Sequence, residues 1–325
     1  MNNDAMDVIK NSLSQKITVY LDEDTNAALQ KDFRDFETKD ISKLINLLVE
    51  NCVTEYFETI YASIPDIKRK LLEAGCSPET IDQTAKSIAF AKATAVNPKR
   101  KLNRTVNFRL NKKVVNKAVE ALYNGPVSLD YSAFFRSMFL SYLSFPVYKR
   151  EQIVYKQEID LINSQIERKE KVSYTRKDTG KSHKFNPYTV EPSSHELFNY
   201  LIGQFDNGER HKSSIRISKI KDLVPIHEKL SFSENFEECY RVMNQNGIQF
   251  AFDEVEIRSV TLNEKQYGNY ERRYLDRPVI IKETSDNGLH TCYFNCSKFQ
   301  LEAYFTPFDD DSNRIIIKPV PDFVL

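Results

Sequence analysis

Two short segments contain polar residues that alternate with apolar ones, and these polar side chains are the best candidates for a chemical function. They are Lys16, Thr18 and Tyr20 in the first segment, and Thr105, Asn107 and Arg109 in the second. Because side chains alternate between the two faces of a strand, each set lies on one face. Apart from Tyr20, these are residue types that commonly contact nucleic-acid bases or phosphates. The two segments therefore predict two polar strand faces that could bind a nucleic acid.

Sequence patterns of catalysis and metal binding are missing. Cys292 and Cys296 lie four residues apart in a strand-like context with no second cysteine pair, which argues against a zinc site. The histidines show no His-Glu-x-x-His spacing, and the chain has neither Gly-x-Ser-x-Gly nor a glycine-rich phosphate loop. We therefore expect a protein that is not an enzyme, with no catalytic residue, no metal and no cofactor.

Each polar strand face opens a strand–helix–helix segment, one near residues 15–60 and the other near 103–145. Asp22 or Asp24 is expected to cap the first helix, and Asp130 or Ser132 the last one. A helical insert and the basic connector NPKRKLNR separate the copies. In the second copy, YSAFFRSMF resembles the start of the second helix in the ribbon-helix-helix family. That resemblance implies, for residues 1–150, that two strands pair and turn their polar face to a nucleic-acid groove. The ribbon could instead serve only to assemble the protein.

The periodicity changes after residue 150. A helix with a stripe of isoleucines precedes short strands separated by Asp-Thr-Gly, Pro-Ser-Ser and Asp-Asn-Gly turns, which predicts a small, strongly bent sheet or barrel. From about Pro225 the helix ENFEECYRVMNQ and strands such as RPVIIKET and NRIIIKPVP predict an α+β extension over residues 225–325. The expected fold class is thus α+β and multidomain.

Residues 151–224 resemble a WYL domain in the order of their elements. Four residues stand at positions where the family has its first Tyr, a basic residue before a Pro turn, the central Tyr and a later Arg: Tyr174, Lys184, Tyr200 and Arg216. Lys219 matches a further basic position. Asn199 stands in place of the family's Trp, and Ser213 in place of its first Arg.

The WYL resemblance implies a small Sm-like β-barrel with an RNA-binding edge. It would cluster Tyr174, His183, Lys184, Tyr200 and Arg216 there, with Lys219 as a further contact. Aromatic rings beside Lys and Arg suit single-stranded nucleic acid, because bases stack on the rings while the cations hold phosphates.

Length and composition set the broad class. The chain has 325 residues, with 46 Lys and Arg balanced by 46 Asp and Glu, so net charge does not identify a partner. Two or three domains are expected at this length. Five scattered cysteines, no secretory leader pattern and no apolar run of bilayer length predict a cytoplasmic protein without membrane contact.

The combination of ribbon-helix-helix segments, a WYL domain and an extension resembles the WYL accessory proteins of type VI-D CRISPR systems. This resemblance implies binding of single-stranded RNA and stimulation of an RNA-guided effector nuclease. Two alternatives stay open. One is a DNA-binding transcriptional regulator whose WYL domain senses a ligand or nucleotide, with duplex DNA as its partner. The other is a pure assembly module. Apolar strands in the extension favour a homodimer.

Overall fold

The computed structural model describes residues 3–95, 100–122, 130–193, 197–206, 212–246, 248, 255–273, 277–308 and 314–321. The chain divides into two compact units, Met1–Lys156 and Gln157–Leu325. Both helices and antiparallel sheets are present, which agrees with the expected α+β class. Within the described residues, no helix is long and apolar enough to cross a membrane.

The first unit contains one two-stranded sheet among helices. Its elements are α1 (Asn3–Ser14), β1 (Ile17–Leu21), α2 (Glu23–Asp35), α3 (Ile41–Tyr61), α4 (Ile64–Glu73), α5 (Pro78–Thr94), β2 (Arg104–Phe108), α6 (Lys112–Leu122), α7 (Tyr131–Leu143) and α8 (Val147–Val154). Strands β1 and β2 pair antiparallel within the chain, with Val19 opposite Val106 at the centre of the ladder and Thr18 opposite Asn107 beside it. Each strand is followed by two helices, in the order predicted from the sequence.

Two of these helices begin directly after an aspartate whose side chain caps the helix N-terminus. Asp22 caps α2 by accepting a hydrogen bond from the Thr25 amide at 3.0 Å. Asp130 caps α7 by accepting one from the Ala133 amide at 3.1 Å.

The two strand–helix–helix segments hold the ribbon in equivalent ways. Asn46, the sixth residue of α3, donates from Nδ2 to the Arg109 carbonyl at 2.9 Å. Arg136, the sixth residue of α7, donates from Nη1 to the Tyr20 carbonyl at 3.1 Å. Tyr20 and Arg109 occupy equivalent places in the two alternating patterns, directly before Leu21 and Leu110. The matching bonds support an internal repeat of architecture, as the sequence predicted.

The second unit contains two antiparallel sheets. Its elements are α9 (Lys156–Arg168), β3 (Glu170–Arg176), β4 (Ser182–Pro192), β5 (Asn199–Phe205), β6 (Lys212–Arg216), β7 (Ile220–Lys229), α10 (Phe236–Asn246), β8 (Val255–Asn263), α11 (Glu264–Arg272), β9 (Ile280–Asp286), β10 (Leu289–Ser297), α12 (Lys298–Phe305) and β11 (Ile317–Pro319). One sheet has the order β6-β5-β4-β3-β7, and the other β11-β8-β10-β9.

The five-stranded sheet is strongly bent. A flat sheet would separate its edge strands β6 and β7 by about 19 Å, because four strand spacings lie between them. Only a three-residue 3-10 turn, Ile217–Lys219, joins these strands, and Arg216 to Ile220 can span no more than about 14 Å. The edges must therefore approach one another at this end. A bulge between Pro187 and Thr189 in β4 supplies local curvature.

The expected barrel is an open sheet, because among the described residues β6 and β7 form no ladder with each other. Strand β7 runs through residue 224, the predicted end of this region, and continues past Pro225 to Lys229. A proline fits there because β7 is an edge strand, where its missing N–H removes no ladder bond.

Candidate nucleic-acid interface

The ribbon presents all six predicted side chains to solvent. Lys16, Thr18, Tyr20, Thr105, Asn107 and Arg109 are exposed. Their apolar neighbours are buried, Val19 at 0% and Val106 at 4% exposed. The Thr18 hydroxyl donates to the Asn107 side-chain oxygen at 2.7 Å, so these cross-strand partners are also joined through their side chains. Continuing the register by one residue brings Lys16 beside Arg109. The alternation of polar and apolar residues therefore predicted correctly which side chains of the ribbon face solvent.

Two arginines of the basic connector, Arg100 and Arg104, pair with the acidic residues Asp22 and Glu23 that follow β1. Arg104 makes two hydrogen bonds to the Glu23 carboxylate, at 2.6 and 2.8 Å, and these lower the pKa of Glu23. Arg100 contacts the Asp22 carboxylate at 3.2 Å. Between Asp82 and Glu120 the sequence has ten Lys and Arg and no acidic residue. The ribbon therefore lies in a basic stretch.

The residues predicted to bind RNA do not form one cluster, which corrects the expected grouping at one edge. Tyr174 and His183 are cross-strand partners on one face of the five-stranded sheet. Lys184 belongs to the opposite face, since its partner is Ser173. Tyr200 and Arg216 pair with each other on β5 and β6. The Lys184 carbonyl accepts a hydrogen bond from the amide of Asp206, which follows β5 and lies six residues, or about 20 Å, from Tyr200.

Tyr174 is a core residue. Its side chain is 1% exposed and packs edge-on against Phe185, with ring centroids 5.7 Å apart. Burial raises the pKa of its phenol. Burial, followed by the charges of Arg176 and Lys181, lowers the pKa of His183. An aromatic ring at this depth cannot receive a base without opening the sheet, because the tyrosine fills the interior.

Lys184 is exposed, but a carboxylate compensates its charge. Its Nζ lies 2.9 Å from an oxygen of Glu228, which also contacts Lys171 at 3.4 Å. Lys171 in turn contacts Asp206 at 2.8 Å. Two lysines and two carboxylates thus alternate along this face. Hydrogen bonds from Lys184 and then Lys171 lower the pKa of Glu228.

Arg216 stacks on an aromatic ring that sequence reasoning did not single out. Its guanidinium carbon lies 3.2 Å from the ring centroid of Phe198, and both side chains are half-buried. We call this pair the Arg216–Phe198 stack. Tyr200, beside it, is 7% exposed and packs with Ile202 and Met243. In the sequence, the position of Phe198 two residues before Tyr200 could have indicated that it belongs to the same site.

Lys219 is half-buried in the 3-10 turn that joins β6 to β7. Its carbonyl accepts a hydrogen bond from the Lys177 amide at 2.9 Å. The turn therefore places Lys219 three residues after Arg216, at the end of the sheet where its edges approach. Of the predicted RNA contacts, Arg216, Tyr200 and Lys219 share one region, and Tyr174, His183 and Lys184 do not.

The second sheet contains the two cysteines considered for zinc. Cys292 and Cys296 are buried in β10, and burial raises the pKa of each thiol to about 12. Among the described residues, no three His, Cys, Asp or Glu side chains gather as a metal-binding group.

Comparison with known proteins identifies a shared fold. No family model matches the chain, and no curated protein matches it. A solved structure described as the crystal structure of a CRISPR Cas-related protein matches with a TM-score of 0.68 and 18% identity, covering 95% of this chain and 90% of that one. Proteasome accessory factor B/C of Arthrobacter aurescens matches with a TM-score of 0.27 and 10% identity, covering 85% of this chain and 51% of its own.

Proposed function

We propose that the chain is a single-stranded RNA-binding accessory protein that stimulates an RNA-guided CRISPR RNA nuclease of type VI-D, and that it is not itself an enzyme. The observation that carries the RNA-binding part is the Arg216–Phe198 stack beside Tyr200, with Lys219 nearby. A cation held on an aromatic ring offers both stacking surface and charge, the two features that single-stranded nucleic acid needs.

Two finer fold assignments belong to this proposal. The five-stranded sheet is taken as an Sm-like WYL domain, which is supported by its bend and by the short turn that joins its opposite edges. The first unit is taken as a ribbon-helix-helix pair contained in one chain, which is supported by the matching bonds of Asn46 and Arg136. The link to a CRISPR system is supported by the fold shared with the CRISPR Cas-related protein.

The test compares single-stranded RNA with duplex DNA of the same sequence. Fluorescence anisotropy across a salt series should give tighter binding to the RNA, and the affinity for it should fall as salt rises, because phosphate contacts release counterions. Equal or tighter binding to the duplex would contradict the proposal. Addition of the chain to a type VI-D nuclease should then raise the rate of RNA cleavage.

A second candidate function is a DNA-binding transcriptional regulator with a ligand-sensing WYL domain. The exposed ribbon face in its basic stretch favours it, since a two-stranded ribbon can read a major groove. This function predicts that Arg109→Ala and Asn107→Ala weaken duplex binding and leave single-stranded RNA binding unchanged. Sequence-specific duplex binding that needs both residues would favour the regulator.

A further inference from the structure

A cavity of about 430 Å³ lies in the first unit, between helices α3, α5 and α7. This volume is within the range of small-molecule sites. Its apolar wall includes Ile60, Ala89 and Leu140, and its basic side chains are Lys92 and Arg136. No aspartate or glutamate is among the described residues that line it.

Arg136 is the unusual group in this cavity. Its side chain is only 8% exposed, and its one hydrogen bond to a described residue goes from Nη1 to the Tyr20 carbonyl. A guanidinium has five N–H donors, so most of them are left for another acceptor. In the described part of the chain no carboxylate lies within ion-pair distance of it. Its remaining nitrogens are solvent-accessible, and the residue lines the cavity, so these donors are available to an anion there.

The Tyr56 and Ser137 hydroxyls of the cavity wall are already hydrogen-bonded. The Ser137 hydroxyl donates to the Ala93 carbonyl, so the Tyr56 phenol must be the donor in its 2.5 Å contact with Ser137. This chain of bonds ties α3 to α7 and α5 and fixes the wall. The charged donors of the cavity wall are Arg136 and the exposed Lys92.

We propose that this cavity binds a small phosphate monoester. Such a group has a charge of about −1.5 to −2 at neutral pH, which two cations match. The planar fork of Arg136 suits two phosphate oxygens, and the apolar wall receives the organic part of the ligand. The site is separate from the Arg216–Phe198 stack and does not depend on the proposed function. A bound ligand would contact the arginine that also holds the ribbon backbone at Tyr20.

The test is calorimetry and thermal unfolding of the full chain with 5′-AMP, adenosine, glucose 6-phosphate, glucose and inorganic phosphate. The two esters should bind and raise the unfolding temperature, and the two compounds without phosphate should not. Failure of both esters to bind would overturn the proposal. Binding of inorganic phosphate as tightly as either ester would overturn the assignment of an ester.

Variants locate the binding. Lys92→Gln should weaken ester binding about tenfold, because it removes a charge-assisted contact from an exposed position that does not support the fold. Lys70→Gln, which removes an equal charge from an exposed ion pair in α4, is the control and should have no effect. Arg136→Lys should also weaken binding while keeping the charge. Ester binding that survives Lys92→Gln and is lost in Arg216→Ala would place the ligand at the stack and contradict the proposal.

Discussion

At the scale of single residues, the surroundings of each cation decide what it can bind. Lys184 and Arg104 both face carboxylates, Glu228 and Glu23. Arg216 lies on the ring of Phe198, so an aromatic ring forms part of its surroundings. Cations of the same residue type therefore have different neighbours in this protein.

The pKa values of His183 and His290 should lie on opposite sides of 6.5, the usual value for histidine. Burial lowers the pKa of His183, whereas a hydrogen bond to Glu283, followed by one to Glu264, raises that of His290. NMR titration, with each signal assigned through a His→Gln variant, measures both. A pKa of His183 above that of His290 would contradict these environments.

The stability consequence of His183 follows from its lowered pKa. Near pH 6.5 the unfolded chain binds more protons at this histidine than the folded chain does. The free energy of unfolding therefore decreases as pH falls through that range. Neutral His183 also adds no charge for RNA phosphates at pH 7. Its part in the predicted RNA site is therefore weaker than the sequence suggested.

At the scale of elements, a buried carboxylate joins three helices of the first unit. Asp32 of α2 is 1% exposed and accepts hydrogen bonds from the Tyr142 hydroxyl of α7 at 2.8 Å and from Arg150 of α8 at 2.9 Å. Asp32→Ala should lower the free energy of unfolding by about 3–5 kcal/mol, because it leaves a buried cation and a hydroxyl without their partner. Urea denaturation measures this change.

The control is Asp35→Ala on the same helix. Asp35 pairs with exposed Lys31 at 2.6 Å, so its loss should change the free energy of unfolding by no more than about 1 kcal/mol. Equal effects of the two substitutions would mean that the Asp32 contacts do not fasten the helices together.

The ribbon pairs within one chain, and a disulfide tests this directly. Tyr20 and Thr105 are cross-strand partners and both are exposed. Tyr20→Cys with Thr105→Cys, in a background where exposed Cys76 is Ser, should form a cross-link inside each chain on oxidation, because partners in a ladder lie within disulfide reach. Electrophoresis without reductant should show monomers. Cross-linked dimers would indicate ribbons exchanged between two chains.

Local patterns in the sequence were enough to predict the ribbon but not the arrangement of the RNA-site residues. Alternation from Ile17 to Leu21 determines which side chains face the core. Tyr174 obeys the same alternation, but a tyrosine suits either face of a strand, so only the bend of the sheet decides its burial. Phe198 stands outside the WYL matches, and its contact with Arg216 depends on how β5 and β6 pair. Pairing between strands is a long-range property that spacing does not encode.

At the scale of the whole molecule, charge is sorted between the two units. Residues 1–156 have 23 Lys and Arg against 19 Asp and Glu, whereas residues 157–325 have 23 against 27. The zero net charge of the chain hides this difference. Long-range attraction therefore favours an anionic partner at the first unit over the second.

A homodimer is expected from apolar side chains left exposed in the second unit. Val279 is 62% exposed and Ile281 37%, and β9, which contains Ile281, is an edge strand. Exposed apolar edges favour pairing with another chain. Light scattering should give twice the chain mass for the wild type and a monomer for Ile281→Lys. A wild-type monomer at micromolar concentration would contradict this expectation.

The central claim is that the Arg216–Phe198 stack binds single-stranded RNA, and the affinity of Arg216→Ala tests it most directly. The matched control is Arg241→Ala, which removes an exposed arginine paired with Glu238 in the same unit. Anisotropy with a labelled single-stranded RNA should show binding weakened about tenfold or more by Arg216→Ala, since loss of a stacked base costs about 1–3 kcal/mol. Arg241→Ala should bind as the wild type does. Wild-type affinity in Arg216→Ala would contradict the account.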